Sequence, residues 1–125
     1  MLRRILIPLF TLTVCLGLLR FVFFWGYVPS SSMEPTIHKG SFILAYRRFG
    51  KLKTGDIIIF RRGDRLLIKR IAACAGDEIS IGDKNTLVPD ACFYVLGDNA
   101  EDSLDSRYWS EPFVSLCDVV AKLII

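Results

Sequence analysis

Residues 56–73 read DIIIFRRGDRLLIKRIAA, and how they fold decides the architecture of the chain. Two apolar runs, Asp56–Arg61 (DIIIFR) and Leu66–Ala73 (LLIKRIAA), flank a Gly63-Asp64 turn signal. That is the pattern of a β-hairpin. Alternation with period two puts Leu67, Lys69 and Ile71 on one face of the second strand and Leu66, Ile68 and Arg70 on the other. Lys69 therefore sits between apolar neighbours on its own face. Such a lysine suits an edge strand, where its charge blunts aggregation. It also suits an apolar site that lowers the affinity of the amine for its proton.

The same grammar extends outward. Ser41–Arg47, Glu78–Ile81, Cys92–Leu96 and Val119–Ile125 read as further strands, with Gly50, Gly55, Gly76, Gly82 and Gly97 marking turns. Glu111–Cys117 reads as a short helical turn. The expected fold class is mainly β, a small antiparallel sheet or barrel-like domain over residues 29–125. No repeat and no low-complexity segment interrupts it.

Upstream the character changes. From Ile5 to Val28 the only charge is Arg20, and 24 helical residues reach about 36 Å, enough to cross a bilayer core. Phe21, Phe23, Phe24, Trp25 and Tyr27 suit the aromatic belt at a membrane surface, and Arg20 can snorkel toward it. Residues 1–28 are expected to form a cytoplasmic tip and a single transmembrane anchor. Arg3 and Arg4 favour a cytoplasmic N-terminus, with the remainder outside the cytoplasm. A cleavable signal peptide has the same outline, but no small-x-small pair closes the run before Pro29.

The chain of 125 residues carries 16 basic and 13 acidic side chains, net +3. Arg3, Arg4 and Arg20 account for the surplus, and residues 29–125 balance at 13 of each sign. The charge is thus no argument for nucleic acid, and none is expected as a partner. Local basic stretches at Arg47, Arg48, Lys51 and Lys53 and at Arg61, Arg62 and Arg65 read as solvated faces or as contacts to anionic headgroups. Of the four cysteines, Cys15 lies in the anchor, and Cys74, Cys92 and Cys117 allow at most one internal pair. No metal-ligand spacing occurs, so neither metal nor cofactor is expected.

Just past the anchor comes VPSSSMEPT, residues 28–36. A serine nucleophile needs a base. His38 is the only histidine and stands six residues from Ser32, poorly placed for a Ser-His-Asp triad. A lysine base is the other solution, and only about 0.1% of an ordinary lysine is neutral near pH 7.5. Burial must lower its pKa, and Lys69 has the surroundings for that. The polar segment Gly97–Tyr108 adds Ser103, a second hydroxyl, and an Asp105/Arg107 pair that can brace the loop.

Together these residues resemble the bacterial-type signal peptidase I family, the membrane-anchored Ser/Lys leader peptidases of family S26. Four stretches match in order: PSSSMEPT (29–36), TGDIIIF (54–60), LIKRIAACAGD (67–77) and LGDNAEDSLDSRYW (96–109). The resemblance implies Ser32 as nucleophile and Lys69 as general base. It implies Ser30 as a side-chain oxyanion donor beside the Ser32 N–H, and Ser103 as a hydrogen-bonding guide for Lys69. Arg70, Asp98, Asn99, Asp105 and Arg107 would support the site, and Met33, Ile37, Leu67 and Ile68 would line small apolar pockets. It further implies removal of signal peptides from exported precursor proteins after small residues, at Ala-x-Ala sites, beside membrane lipid and without a cofactor. Ser31 stands where the family usually has glycine, a departure tolerated where no positive φ is needed, and Ala100, Glu101-Asp102 and Ser110 depart in ways expected to alter loop bracing rather than chemistry. Two alternatives share this outline: a specialised enzyme for a dedicated substrate such as a conjugation pilin, and a membrane-anchored binding module without activity. Loss of dyad residues would mark the latter, yet Ser32, Lys69 and Ser103 are all present.

Overall fold

The structure is a computed structural model that describes residues 1–124. It opens with helix α1 (Leu2–Val22), long and apolar enough to cross a membrane and with none of its residues buried against the rest of the protein. The hydroxyls of Thr11 and Thr13 donate to the carbonyls of Ile7 and Leu9, each 2.9 Å away, so neither is left unpaired along the helix. The helix stops six residues short of the Val28 expected from the apolar run. Phe23–Tyr27 instead forms strand β1, paired antiparallel with β2 (Phe42–Tyr46). The reason is composition. Leu-rich sequence gives way to FFWGY, whose aromatic residues favour strand. There Phe23 packs on Tyr46, and Tyr27 on Phe42.

The remaining strands are β3 (Ile57–Arg62), β4 (Arg65–Cys74), β5 (Glu78–Ile81), β6 (Lys84–Leu87), β7 (Cys92–Leu96), β8 (Phe113–Ser115) and β9 (Val119–Leu123). Seven of the nine strands among the described residues make one antiparallel sheet in the order β1-β2-β9-β3-β4-β7-β8, and β5-β6 is a separate hairpin. The fold is mainly antiparallel β, as the sequence indicates. The hairpin that opened the reading is β3-β4, closed by a two-residue turn with Gly63 at φ +62°, where such turns take glycine.

Three local readings needed correction. The polar KNTL stretch of β6 carried no strand signal of its own and pairs because a tight turn folds it onto β5. Glu111–Cys117 is not helical throughout: Phe113–Ser115 is strand, because Val114 pairs with Phe93 at the sheet edge, and a 3₁₀ turn covers only Leu116–Asp118. The last strand covers Val119–Leu123, and Ile125 lies outside the described residues.

The central strand β3 is buried on both faces. Ile57 and Ile59 pack into one core with Val28, Met33, Ile43 and Ala121. Ile58 and Phe60 pack into the other with Ile71, Phe93, Val95 and Val114. β4 follows the same alternation, sending Ile68 to the first core and Leu67 to the second. Lys69 is register partner to Ile58 and thus projects on the face of the second core. β4 pairs with β3 from Arg65 onward, but with β7 only from Arg70 onward. Among the described residues, the Leu66–Lys69 edge therefore has no strand on its second side.

Candidate active site

Chain turns deliver the serine. After β1, the Val28 N–H donates to the Ser41 carbonyl and the Gly40 N–H to the Val28 carbonyl, which closes the following loop at its base. Residues 32–36 form a turn, and Met33, fully enclosed in the first core, anchors it. The side chain before that anchor, Ser32, then faces the open edge of β4. The Lys69 Nζ lies 2.7 Å from the Ser32 Oγ, and the two residues are 4% and 5% exposed. Ser30 places its hydroxyl 3.3 Å from the Ser32 Oγ. His38 is exposed and forms no hydrogen bond to Ser32, consistent with the sequence reading that set it aside.

The loop after β7 forms the back wall. The Asp105 side chain is fully buried and gathers five donors: the Gly97 N–H at 2.9 Å, the Ser103 hydroxyl at 2.8 Å, the Arg107 Nε and Nη2 at 2.8 and 2.7 Å, and the Arg107 backbone N–H at 3.3 Å. Burial pushes this carboxyl's pKa up, but the Arg107 fork, the Gly97 N–H and the Ser103 hydroxyl outweigh burial and hold it at about 2. Ser106, also buried, accepts from the Val95 N–H at 3.0 Å and ties the loop to β7. Ser103 lines the same recess as Lys69, yet its hydroxyl proton goes to Asp105. Among the described residues no Lys69–Ser103 hydrogen bond forms, unlike the contact implied by the resemblance. Asp105 attracts that proton because it is charged and buried.

Burial lowers the Lys69 pKa from its ordinary value, and the Asp105 charge partly opposes that. Arg70, on the opposite face, makes a two-pronged pair with Asp98 at 2.8 and 2.7 Å and also donates to the Gly55 carbonyl at 2.8 Å. The Arg70 hydrogen bonds lower the Asp98 pKa. Arg70 thus braces through Asp98 rather than through Asp105. Asn99 is a tether: its N–H donates to the Ser32 carbonyl at 2.9 Å and its Nδ2 to the Ser31 carbonyl at 3.1 Å. Ser31 and Asp102, two positions that depart from the family's usual pattern, meet each other, the Ser31 hydroxyl donating to the Asp102 carboxylate.

A cleft of about 580 Å³ opens beside Ser32 and Lys69, walled by Val28, Ile43, Ile59, Leu66, Leu67 and Ile68. Leu67 and Ile68, which the resemblance implies as pocket residues, line it. Met33 and Ile37 do not: both belong to the first core, where the turn after Ser32 needs apolar anchors. A second recess of about 470 Å³ shares Ser30, Ser32, Leu67 and Lys69 with the first. Sequence reasoning treated Gly97 only as a turn marker. A Cβ there would collide with the Ser103 side chain and come within 2.6 Å of the Ser32 carbonyl oxygen. The signal was visible as the glycine directly after a strand, but the close approach of residues 65 and 6 positions away was not.

A buried hydroxyl bonded to a buried amine of lowered proton affinity, beside an apolar cleft, has the parts of a nucleophile and its base. The sequence also matches the family described as Signal peptidase, peptidase S26, over residues 1–88 and 81–125. The chain belongs to that family. It is 30% identical over 130 residues to the Probable signal peptidase I-2 of Synechocystis sp., an alignment covering 77% of this chain and 60% of that protein. It is 33% identical over 119 residues to the Mitochondrial ATP-independent inner membrane protease subunit 1a of Arabidopsis thaliana, covering 83% and 71%. It is 24% identical over 151 residues to the Signal peptidase I of Leptolyngbya laminosa, covering 92% and 73%. The match thus spans about 60% of the length of the Synechocystis relative.

Proposed function

We propose that the protein is a membrane-anchored serine endopeptidase that removes signal peptides from exported precursors, cutting after small residues with a Ser32/Lys69 dyad. The observation that carries this reading is the 2.7 Å contact between the Lys69 Nζ and the Ser32 Oγ in a buried site. In the proposed reaction the neutral amine accepts the Ser32 proton as the Oγ attacks the scissile carbonyl. The oxyanion is met by the Ser30 hydroxyl and the Ser32 N–H, which serves no other hydrogen bond among the described residues. Lys69 then returns the proton to the leaving amine, and an ester on Ser32 remains. Lys69 next takes a proton from water as it attacks the ester, and hands that proton to the departing Ser32 Oγ, which restores the hydroxyl and the neutral amine.

Substrate would enter extended. The unpaired Leu66–Lys69 edge offers backbone hydrogen bonds to such a chain, and alternate side chains would drop into the apolar cleft. In this arrangement α1 crosses the membrane once with its N-terminus cytoplasmic, and the sheet lies on the extracytoplasmic side of the plasma membrane. Residues 1–28 would serve as tip and anchor and 29–125 as the catalytic part, with β1 carrying the chain from one to the other.

The test is cleavage of a precursor with an Ala-x-Ala site in detergent. Wild type should cut after the final alanine, and Ser32→Ala and Lys69→Ala should each lose at least about a thousandfold in kcat/KM. Retention of activity in either variant, or cleavage elsewhere, would remove the dyad reading.

A further inference from the structure

We propose that Arg20, Arg47 and Arg48, where the helix meets the sheet, form a binding site for the phosphate of an anionic phospholipid, with an acyl chain laid along Leu16 and Leu19. The three come together from two elements. Arg20 stands in the last turn of α1. The Arg47 N–H donates to the Val22 carbonyl at 2.8 Å and its Nε to the Phe23 carbonyl at 3.2 Å, which pins it to the helix exit. The Arg47 guanidinium lies 5.1 Å from the Phe24 ring centre, and that of Arg48 lies 4.3 Å from the Phe21 ring centre. Phe21, Arg20, Arg47 and Arg48 wall one cavity of about 410 Å³.

None of the three forms a salt bridge among the described residues, whereas Arg70, Arg107 and Lys122 each have a carboxylate partner. Arg47 spends its Nε on a carbonyl and keeps both terminal nitrogens, the pair that grips a phosphate in parallel. Attraction of this kind calls for an anion. A second cavity, of about 460 Å³, shares Arg20 and Arg47 and is otherwise walled by Leu16, Leu19, Phe23, Phe24 and Trp25. Leu16 lies about 6 Å further along the helix than Arg20, toward the membrane interior. The occupant must therefore carry a negative head at the arginines and an apolar tail along the helix. A zwitterionic head would set its own cation against three guanidinium groups. An anionic phospholipid meets both demands.

Trp25 lines the second cavity, and Trp109, the other tryptophan, packs on Phe60 in the sheet. The experiment reconstitutes full-length Trp109→Phe protein in phosphatidylcholine nanodiscs and adds acyl-brominated phosphatidylglycerol or acyl-brominated phosphatidylcholine at equal mole fraction. Near an anionic surface each arginine adds about a fivefold preference, so phosphatidylglycerol should quench Trp25 severalfold more strongly. Arg20→Gln/Arg47→Gln/Arg48→Gln should abolish the excess. Lys51→Gln/Lys53→Gln/Lys84→Gln, which removes three exposed charges elsewhere, should leave it. If the arginine triple variant does not fold, Arg48→Gln alone, at an exposed side chain, should reduce the excess. Equal quenching by both lipids, an equal loss in the lysine variant, or an unchanged excess without the arginines would overturn the proposal. So would loss of the excess on adding millimolar inorganic phosphate, which would make the ligand a soluble anion. None of these readouts depends on peptidase activity.

Discussion

Lys69 and Arg70 are neighbours in sequence and opposites in circumstance. Lys69 is 4% exposed, bonded to a neutral hydroxyl, and its pKa is lowered by burial. The Arg70 side chain is 36% exposed, grips a carboxylate with two nitrogens, and its pKa is raised by those hydrogen bonds. One step along a strand reverses the face, and the face decides whether a cation is kept as a charge or prepared to lose it. Their nearest carboxylates differ in the same sense. Asp98 neutralises Arg70 directly. Asp105 is held by Arg107 and acts on Lys69 only through space. A charge-assisted bond to Lys69 itself would keep the lysine protonated and useless as a base.

The strongest way to break the comparison is to make position 69 resemble position 70. Lys69→Arg keeps a cation on a somewhat longer side chain, but a guanidinium stays protonated at any working pH. If Lys69 serves as a base, kcat should fall at least about a thousandfold while the fold survives. An arginine variant that keeps its activity would show that only a positive charge is required. In wild type, the acid limb of kcat/KM should lie below the ordinary lysine value of 10.5, because burial lowers the Lys69 pKa. Asp105 raises that pKa. Any folded Asp105→Asn protein should therefore move the limb to lower pH, and Asp98→Asn should leave it in place.

Next, because it strikes both stability and activity, is Gly97→Ala. The new methyl meets Ser103 and the Ser32 carbonyl, and the latter is backbone fixed by the Asn99 N–H. Relief requires a shift of the Ser32 backbone as well as of the Ser103 side chain. We expect a loss of at least about 2 kcal/mol in thermal unfolding, with activity lost at temperatures where the variant is still folded. Unfolding and activity near wild-type values would mean that the approach of these two segments is looser than the structure indicates.

Arg107→Ala comes third. It leaves the fully buried Asp105 charge without its chief partner, which costs about 3 kcal/mol in comparable buried pairs. Acid offers a milder version of the same test. The Asp105 pKa is about 2 in the folded protein against an ordinary 3.8, so its contribution is present above pH 3.8 and fades as pH falls through 2. The difference amounts to about 2 kcal/mol, read as a drop in unfolding free energy across that window. Asp105→Asn should flatten this part of the pH profile.

How much of this was legible beforehand follows the range of each interaction. The β3-β4 hairpin and the face of Lys69 follow from local alternation, and the structure keeps both. The helix end was not legible. Apolar continuity from Ile5 to Val28 hides a switch that becomes visible only in the pairing of FFWGY with Phe42–Tyr46. The family resemblance implied Met33 and Ile37 as pocket residues, but side chains along a turn point apart, and these two anchor it in the first core. Gly97 depends on its approach to the Ser32 carbonyl, distant in sequence, and the Ser103–Asp105 bond depends on how an irregular loop turns over two residues; periodicity reports neither.

The smallest expected effect is on the other side of the strand. Arg70→Lys keeps a cation near Asp98 but gives up the two-pronged grip and the bond to the Gly55 carbonyl. The pair is partly open to water, so solvent recovers most of what is lost, and the cost should be about 1 kcal/mol. Activity should stay within severalfold of wild type, because Asp98 does not set the Lys69 pKa. A kinetic loss as large as that of Lys69→Arg would mean that the two faces of β4 are coupled through Asp98 and Asn99 to the Ser32 carbonyl. Urea unfolding and kcat/KM measured on the same preparation separate these outcomes, since bracing moves the first and coupling moves the second.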